Sequence, residues 1–289
     1  MADLHFLLFG DGSPQMRGAA RRLERQAIRT SLFRTVRRYS LKDIRDRYPA
    51  LWNQHGRFLL EHRRGCGYFL WKPLLIGVTL SELPENDFLI YADAGCEMVL
   101  ANAPALLDFL PAESTKDLSA IPLEAFHTTA RWTNNFCLSR IDNSDRYLDR
   151  PQFAASMLFI KNTEASRDLV GRWLERSSSA DYGCLIDRPG ENEGAEFQEH
   201  RHDQAILSLL VYDLENRGAI GVKRIDGERV SHADAPILGM RNKTPFPVVG
   251  RNKHIRRLLC KVQNGAIRLF WDEQRYRRDL YQALNDHTS

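Results

Sequence analysis

The sequence predicts an α/β fold with a mixed, mainly parallel sheet flanked by helices, and three observations carry that expectation. The runs Leu4–Phe9 and Phe88–Ala92 are almost uninterruptedly apolar, as strands buried on both faces are. Each run ends in a turn containing glycine and aspartate. Between them lie segments with apolar residues at helical spacing, so the N-terminal order reads strand, helix, strand, helix, the order of a parallel sheet.

The elements can be justified in turn. The first strand stops at Gly10-Asp11-Gly12. Ser13 then offers an N-cap oxygen and Pro14 the first position of a helix. In that helix Met16, Ala20, Leu23 and Ala27 share one face and arginines take the other. A second strand is expected at 33–39, then a helix from Leu41 to about Tyr48 that Pro49 stops. Pro73 opens a further helix with Leu74, Leu75, Val78 and Leu83 apolar, and Pro84-Glu85-Asn86-Asp87 breaks it before the strand Phe88–Ala92. Residues 153–160 read as a strand, and Asn162 or Thr163 as the cap of a helix carrying Leu169, Val170, Trp173 and Leu174. A polar loop at 177–199 leads into a helix with Ile206, Leu207, Leu209 and Leu210 on its apolar side. No repeat or linker divides the chain, so residues 1–289 read as one domain, with about 250–289 as a basic helical extension.

Composition narrows the class. At 43% hydrophobic and 27% charged residues the chain is neither disordered, collagen-like nor coiled coil. No apolar run approaches the roughly 18 residues of a spanning helix, and the acidic start of the chain does not fit a signal peptide. The five cysteines, Cys66, Cys96, Cys137, Cys184 and Cys260, are scattered without a CxxC pair. That spacing argues against a disulfide framework or zinc ribbon and for a reducing, cytoplasmic setting. The net charge of +4 hides two basic clusters. Arginines crowd residues 17–38 against Glu24 alone, and lysines and arginines crowd residues 251–278. Such clusters attract nucleic acid, anionic membrane or phosphorylated substrates, although either alone is also an ordinary solvated helix face. Aromatics are not interleaved with the basic residues, so nucleic-acid binding gains little support.

Three segments carry candidate chemistry. In Phe88-Leu89-Ile90-Tyr91-Ala92-Asp93-Ala94-Gly95-Cys96-Glu97, Asp93 falls at the carboxyl end of a strand, where open α/β sheets bind ligands. A carboxylate there can hold a hard divalent cation against a diphosphate. Gly95 would let a ligand or a backbone approach closely. A simple turn aspartate is the plain alternative. In Gly65-Cys66-Gly67-Tyr68-Phe69-Leu70-Trp71-Lys72-Pro73, Lys72 precedes a helix start, an arrangement that suits a phosphate. The glycine spacing fits neither a Walker A loop nor GxGxxG, and Trp71 alone reads as core. In Glu199-His200-Arg201-His202-Asp203-Gln204, ionisable residues crowd the start of an apolar helix. Asp203 there would gain from the helix dipole. His200 and His202, two apart, would share a metal only from an extended segment, and a grip on a polar substrate is the better reading. Gln152 and Ser156, with Ala154 and Ala155, put small residues on the strand expected after Pro151, where either a ligand or tight sheet packing would account for them. His232 by itself reads as structural. GxSxG, HExxH, CxxC and the kinase signatures are all missing from the sequence.

In combination these segments resemble nucleotide-sugar-dependent glycosyltransferases of the GT-A type, whose sheet is Rossmann-related. The resemblance spans roughly residues 4–241 and rests on three ordered blocks: Gly67-Tyr68-Phe69-Leu70-Trp71-Lys72-Pro73, Leu89-Ile90-Tyr91-Ala92-Asp93-Ala94-Gly95-Cys96-Glu97, and Phe197-Gln198-Glu199-His200-Arg201-His202-Asp203-Gln204-Ala205-Ile206-Leu207. It implies transfer of a hexose from a nucleoside-diphosphate sugar, a UDP-sugar by preference, to a hydroxyl of a glycan or glycolipid such as lipopolysaccharide or capsule. Asp93 would stand in a DxD-like position and hold Mn²⁺ or Mg²⁺ against the donor's phosphates. Gly95 stands where the second aspartate would be, so Glu97 or His232 would complete the shell. Without a metal, Lys72 and the basic clusters would carry that charge. The resemblance assigns Trp71, Lys72, Tyr91, Asp93, Gly95, Gln152 and Ser156 to the donor and the pair Asp203-Gln204 to the reacting sugar, as in retaining enzymes. His200, Arg201 and His202 would contact sugar hydroxyls or phosphates. An inverting enzyme would need a carboxylate base, Asp203 or Glu199.

Two rivals remain distinct. A nucleotidylyltransferase would carry a glycine-rich loop with lysine and arginine right after the first strand, whereas Arg17 is the nearest cation to Gly10-Asp11-Gly12. A non-catalytic basic protein on nucleic acid or anionic membrane would show affinity that falls steeply with salt and survives loss of Asp93. A catalytic domain whose basic faces rest on the inner membrane leaflet would combine both readings.

Overall fold

A computed structural model describes residues 2–188, 192–231, 234–247 and 273–285. The elements run β1 (Leu4–Phe9), α1 (Pro14–Thr30), β2 (Thr35–Tyr39), α2 (Leu41–Arg47), α3 (Pro49–Glu61), α4 (Gly65–Tyr68), α5 (Trp71–Glu82), β3 (Phe88–Ala92) and β4 (Glu97–Met98). They continue with β5 (Leu118–Ala120), α6 (Thr129–Trp132), α7 (Asn135–Leu138), β6 (Met157–Lys161), α8 (Glu164–Tyr182), α9 (His202–Asn216), β7 (Val222–Arg224), β8 (Ile237–Leu238) and α10 (Glu273–Asn285). The fold is mixed α/β, with a mainly parallel six-stranded sheet in the order β2-β1-β3-β6-β5-β7. β1 and β2 pair in parallel, as do β5 and β7, while β5 and β6 are antiparallel.

The local chemistry explains most boundaries. Ser13 Oγ accepts from the Met16 N–H with Pro14 at the first helical position, as anticipated for α1. Ser40 and Asp43 cap α2 reciprocally, and Thr163 and Ser166 do the same for α8. Four boundaries differ from the sequence expectation. β2 begins at Thr35. α5 opens at Trp71, ahead of Pro73, because residues 65–69 are all left-handed and deliver Leu70 already in helical geometry. Gln152 and Ser156 precede β6 and do not lie on it. The Phe153 N–H goes to Ser208 Oγ (2.9 Å), the Ala154 N–H goes to the Ile121 carbonyl (2.8 Å), and Ala155 and Ser156 turn before the strand starts. Finally, α8 enters the polar stretch expected as loop, but its helical backbone ends near Ser178, whose Oγ bonds back to the Leu174 carbonyl (2.9 Å). Ser179 is extended, and Ala180, Asp181 and Tyr182 are left-handed.

The contacts divide the chain into two compact units, Met1–Leu4 with Tyr68–Tyr91 and Leu107–Arg229, and His5–Gly67 with Ala92–Leu106 and Val230–Ser289. In the first, α8 packs against both α5 and α9, with Trp173 of α8 and Phe159 of β6 fully buried. In the second, the Asp11 carboxylate just past β1 accepts from the Gly12 N–H (2.8 Å), the Leu41 N–H (2.9 Å), Arg17 and the Tyr276 hydroxyl. One buried acid therefore ties the end of β1 to α1, α2 and α10. Burial and that carboxylate push the Tyr276 phenol well above its usual range. Arg22 departs from the expected solvent-facing arginine face of α1. It is buried and donates to the carbonyls of Asn242 (3.1 Å), Thr244 (2.5 Å), Ala94 (2.9 Å) and Cys96 (2.7 Å). Cys66, Cys96, Cys137 and Cys184 are buried thiols, and Cys260 lies outside the described residues. Of the expected basic extension, α10 is described and residues 248–272 and 286–289 are not.

His55 on α3 is 2% exposed, and burial holds its pKa below the ordinary 6.5. The unfolded chain then binds more protons than the folded one just below pH 6.5, so stability falls as the solution is acidified through that range. Urea midpoints measured from pH 7 down to about 5 should fall, and the fall should be shallower in His55→Gln. An unchanged slope in the variant would exclude His55 as its source.

Candidate functional site

The first unit concentrates its polar chemistry at the starts of α5 and α9. Lys72 lies in the first turn of α5 and Asp203 in the first turn of α9, and their side chains, 3% and 5% exposed, meet at 2.7 Å between Nζ and Oδ2. Nζ also donates to the Ala155 carbonyl at 3.0 Å. It lies 5.3 Å from the ring centre of Phe69, 5.8 Å from Trp71 and 5.5 Å from Tyr91. Desolvating a lysine and an aspartate is expensive, and only good geometry offsets it. Here a carboxylate, a carbonyl and three ring faces surround the ammonium. Asp203 is held from the other side as well, because its carbonyl accepts from Trp173 Nε1 at 3.0 Å.

The next residue ends a relay of carboxamides. Gln152, fully buried, donates through Nε2 to the Trp132 carbonyl (3.1 Å) and to Thr133 Oγ1 (3.1 Å). Its Oε1 accepts from Nε2 of the half-buried Gln204 at 2.8 Å. The relay fixes which way round the Gln204 amide lies, and leaves its carbonyl oxygen and second N–H to other partners. Ser208 Oγ, one turn on, closes the segment by donating to the Gln204 carbonyl (2.7 Å).

The two histidines are pinned to backbone. His200 Nε2–H donates to the Cys184 carbonyl (2.8 Å) and its Nδ1 accepts from the Asn134 N–H (3.3 Å). His202 Nδ1–H donates to the Leu185 carbonyl (2.6 Å), which turns Nε2 toward Asp187 Oδ1 at 3.9 Å. The Tyr68 ring lies 4.8 Å from the His202 ring, and its hydroxyl donates to Asp187 Oδ2 at 3.4 Å. Backbone strain gathers around this histidine. Tyr68 (φ 48°), Phe69 (φ 68°) and His202 itself (φ 49°) are left-handed, as are Ala180, Asp181 and Tyr182 just before Leu185. Each such non-glycine residue costs on the order of 1 kcal/mol and persists only where its surroundings over-determine it. Arg201 stacks its guanidinium 4.0 Å from the centre of the Trp132 ring. Cys137 and Cys184 lie against each other beneath His200; their mutual hydrogen bond and burial raise the Cys137 thiol and that contact lowers Cys184.

Within this unit the structure thus brings together Trp71, Lys72, Tyr91, Gln152, His202, Asp203 and Gln204, with Ser156 next to the carbonyl that Lys72 uses. The ammonium of Lys72, anticipated at a phosphate, is neutralised by Asp203. Thr133, Trp173 and Asp187 belong to the same cluster and were not anticipated. They stand alone in polar or mixed stretches, and no spacing marks them.

The second unit holds Asp93, half-buried directly after β3, in a turn closed by the Cys96 N–H on the Asp93 carbonyl (2.9 Å). Gly95 is there for a backbone: a Cβ at that position would lie 3.1 Å from the Arg241 Cα, and the Gly95 carbonyl accepts from the Asn242 N–H at 2.9 Å. Glu97 is fully buried and accepts from Asn242 Nδ2, with the charge of Arg22 nearby. His232 lies outside the described residues. Among the described residues no three His, Cys, Asp or Glu side chains converge as a metal-holding group. Asp93 could supply one ligand to a cation held chiefly by a diphosphate, and Glu97, committed to Asn242, does not fit as a second.

No protein-family model and no curated protein matches the sequence. Among solved structures the chain is similar to a glycosyltransferase involved in glycosylation of the major capsid of PBCV-1, at 9% identity and a TM-score of 0.44, over 82% of this chain and 92% of that one. It is also similar to mouse xyloside xylosyltransferase 1 in its apo form, at 11% identity and 0.41, over 86% and 100%. A third is the inositol-1-phosphate CTP transferase of T. maritima, at 10% and 0.36, over 91% and 97%. Identities of this order give no residue-by-residue correspondence.

The ion pair makes a sharp energetic prediction. Lys72→Met leaves a buried carboxylate uncompensated and should cost about 3–5 kcal/mol in urea unfolding, and Asp203→Leu should cost a similar amount. The double variant should cost less than either single one. Additive losses in this double-mutant cycle would show that the two charges are not coupled.

Proposed function

We propose that this protein is a glycosyltransferase that moves a hexose from a nucleoside-diphosphate sugar, a UDP-sugar by preference, to a hydroxyl of a glycan or glycolipid. The observation that carries the reading is Gln204. A half-buried amide, oriented by a wholly buried second amide and set at a helix start beside a buried ion pair, suits a neutral polyhydroxylated ligand, which is recognised by a few fixed hydrogen bonds. Backbone strain at Tyr68, Phe69 and His202 around the same cluster fits a preorganised site. Asp93 adds independent support. It follows the carboxyl end of β3 directly, the position from which strands of open α/β sheets present ligand-binding side chains.

The reaction breaks the bond between the anomeric carbon and the leaving diphosphate oxygen, forms one to the acceptor oxygen, and passes the acceptor's proton on. Asp203 already compensates Lys72 and is 5% exposed, so it is a poor general base. That favours retention, with the departing diphosphate taking the proton, and gives Asp203 the task of holding Gln204 in place. A divalent cation bound with the donor would offset charge on the leaving group; Asp93 is the side chain assigned to it.

A thermal-shift series with UDP-, GDP-, CMP- and dTDP-sugars, each with and without Mn²⁺, tests the proposal. A donor at 100 times its Kd should add about 2.7 kcal/mol to stability, for one nucleotide class only, and Asp93→Ala should abolish the shift. Gln204→Ala should keep binding of the free nucleoside diphosphate yet lower turnover of the donor roughly 100-fold. No response to any donor would overturn the assignment.

A further inference from the structure

We infer that α1 and the turn at Pro245-Phe246-Pro247 form a docking surface for an anionic membrane, an inference independent of the catalytic reading. Arg21, Arg25, Ile28 and Arg29 recur at helical spacing and share one exposed face of α1. The one acid on that helix, Glu24, is engaged by Arg38 at 2.7 Å. Among the described residues no carboxylate pairs with Arg21, Arg25 or Arg29, so the face keeps its positive charge.

Apolar groups accompany that charge. Ile28 is 58% exposed and Phe246 43% exposed, the two flanking a groove of about 520 Å³ whose walls also include Arg25, Arg29, Pro245 and Pro247. The turn that carries Phe246 is built to hold it out. Its carbonyl accepts from Asn242 Nδ2 (2.9 Å) and Thr244 Oγ1 (2.8 Å), and its N–H donates to Thr244 Oγ1 (3.3 Å). The buried Arg22 fixes the carbonyls of Asn242 and Thr244 beneath, and prolines on both sides restrict the backbone further. An aromatic side chain projected on such a support loses little freedom on insertion.

Arginines around exposed apolar side chains match the headgroup layer of an anionic bilayer, where phosphates meet acyl chains. A nucleic-acid backbone would satisfy the arginines and leave Ile28 and Phe246 unexplained. Among the described residues no helix is long and apolar enough to cross a membrane, so the contact would be interfacial.

The test is co-sedimentation of the full chain with vesicles of phosphatidylcholine alone and of equimolar phosphatidylcholine and phosphatidylglycerol. Binding to the anionic vesicles only is expected, weakening with salt. Arg25→Gln/Arg29→Gln should lower the partition coefficient about 30-fold, and Phe246→Ser about tenfold. All three side chains are exposed, so urea midpoints should stay at the parent value, as should any stabilisation by a nucleotide sugar. Absence of binding to anionic vesicles at low salt would overturn the inference, as would binding that neither variant weakens. A double-stranded oligonucleotide that binds the parent and the Phe246→Ser variant equally, and displaces vesicles, would reassign the face to nucleic acid.

Discussion

A lysine cannot be buried without an answer to its charge, and the organisation of the first unit follows from how Lys72 is answered. The carboxylate of Asp203 supplies the counter-charge, the Ala155 carbonyl takes a second hydrogen, and the rings of Phe69, Trp71 and Tyr91 close the remaining directions. Because the two charges sit at the starts of two different helices, α5 and α9 cannot shift independently. Gln204 inherits its position from Asp203, and its orientation from Gln152. His202, preceding the acid, is held through Leu185 and the Tyr68 ring. The precision of the cluster is thus a consequence of electrostatics that a more apolar core would not impose.

The second unit solves a similar problem with other residues. Arg22 finds four carbonyl oxygens in chain segments that have no regular structure to occupy them, at 94, 96, 242 and 244. Asp11 finds donors on three helices and its own loop. In both cases a buried ion organises irregular backbone that apolar packing alone would leave unspecified.

These same features explain what could be read from the sequence. β1 and β3 were legible because both faces of each strand are covered, which writes an unbroken apolar run. The start of α1 was legible because Ser13 and Pro14 act locally. The starts of α5 and β6 were not, since a left-handed segment and a side chain from α9 set them, and neither leaves a local signature. Asp93, Asp203 and Gln204 could be singled out by position in a strand-helix pattern. Their actual partners could not, because Lys72 with Asp203 and Gln152 with Gln204 are distant in the chain and meet only in the fold. Arg22 looked like one of many surface arginines, and periodicity alone does not reveal which arginine of a basic helix is folded inward. Gly95 was legible as a close approach, and the thing approaching is the chain's own residue 241.

The left-handed residues around His202 also shape how this protein can change. Tyr68, Phe69 and His202 each hold a conformation that glycine would adopt at lower cost. Each also contributes a ring that glycine would delete. Relieving the strain gains on the order of 1 kcal/mol, whereas deleting a packed ring costs several. Glycine at any of the three would therefore lower stability, and the contacts of the rings are what keep the backbone in its strained form.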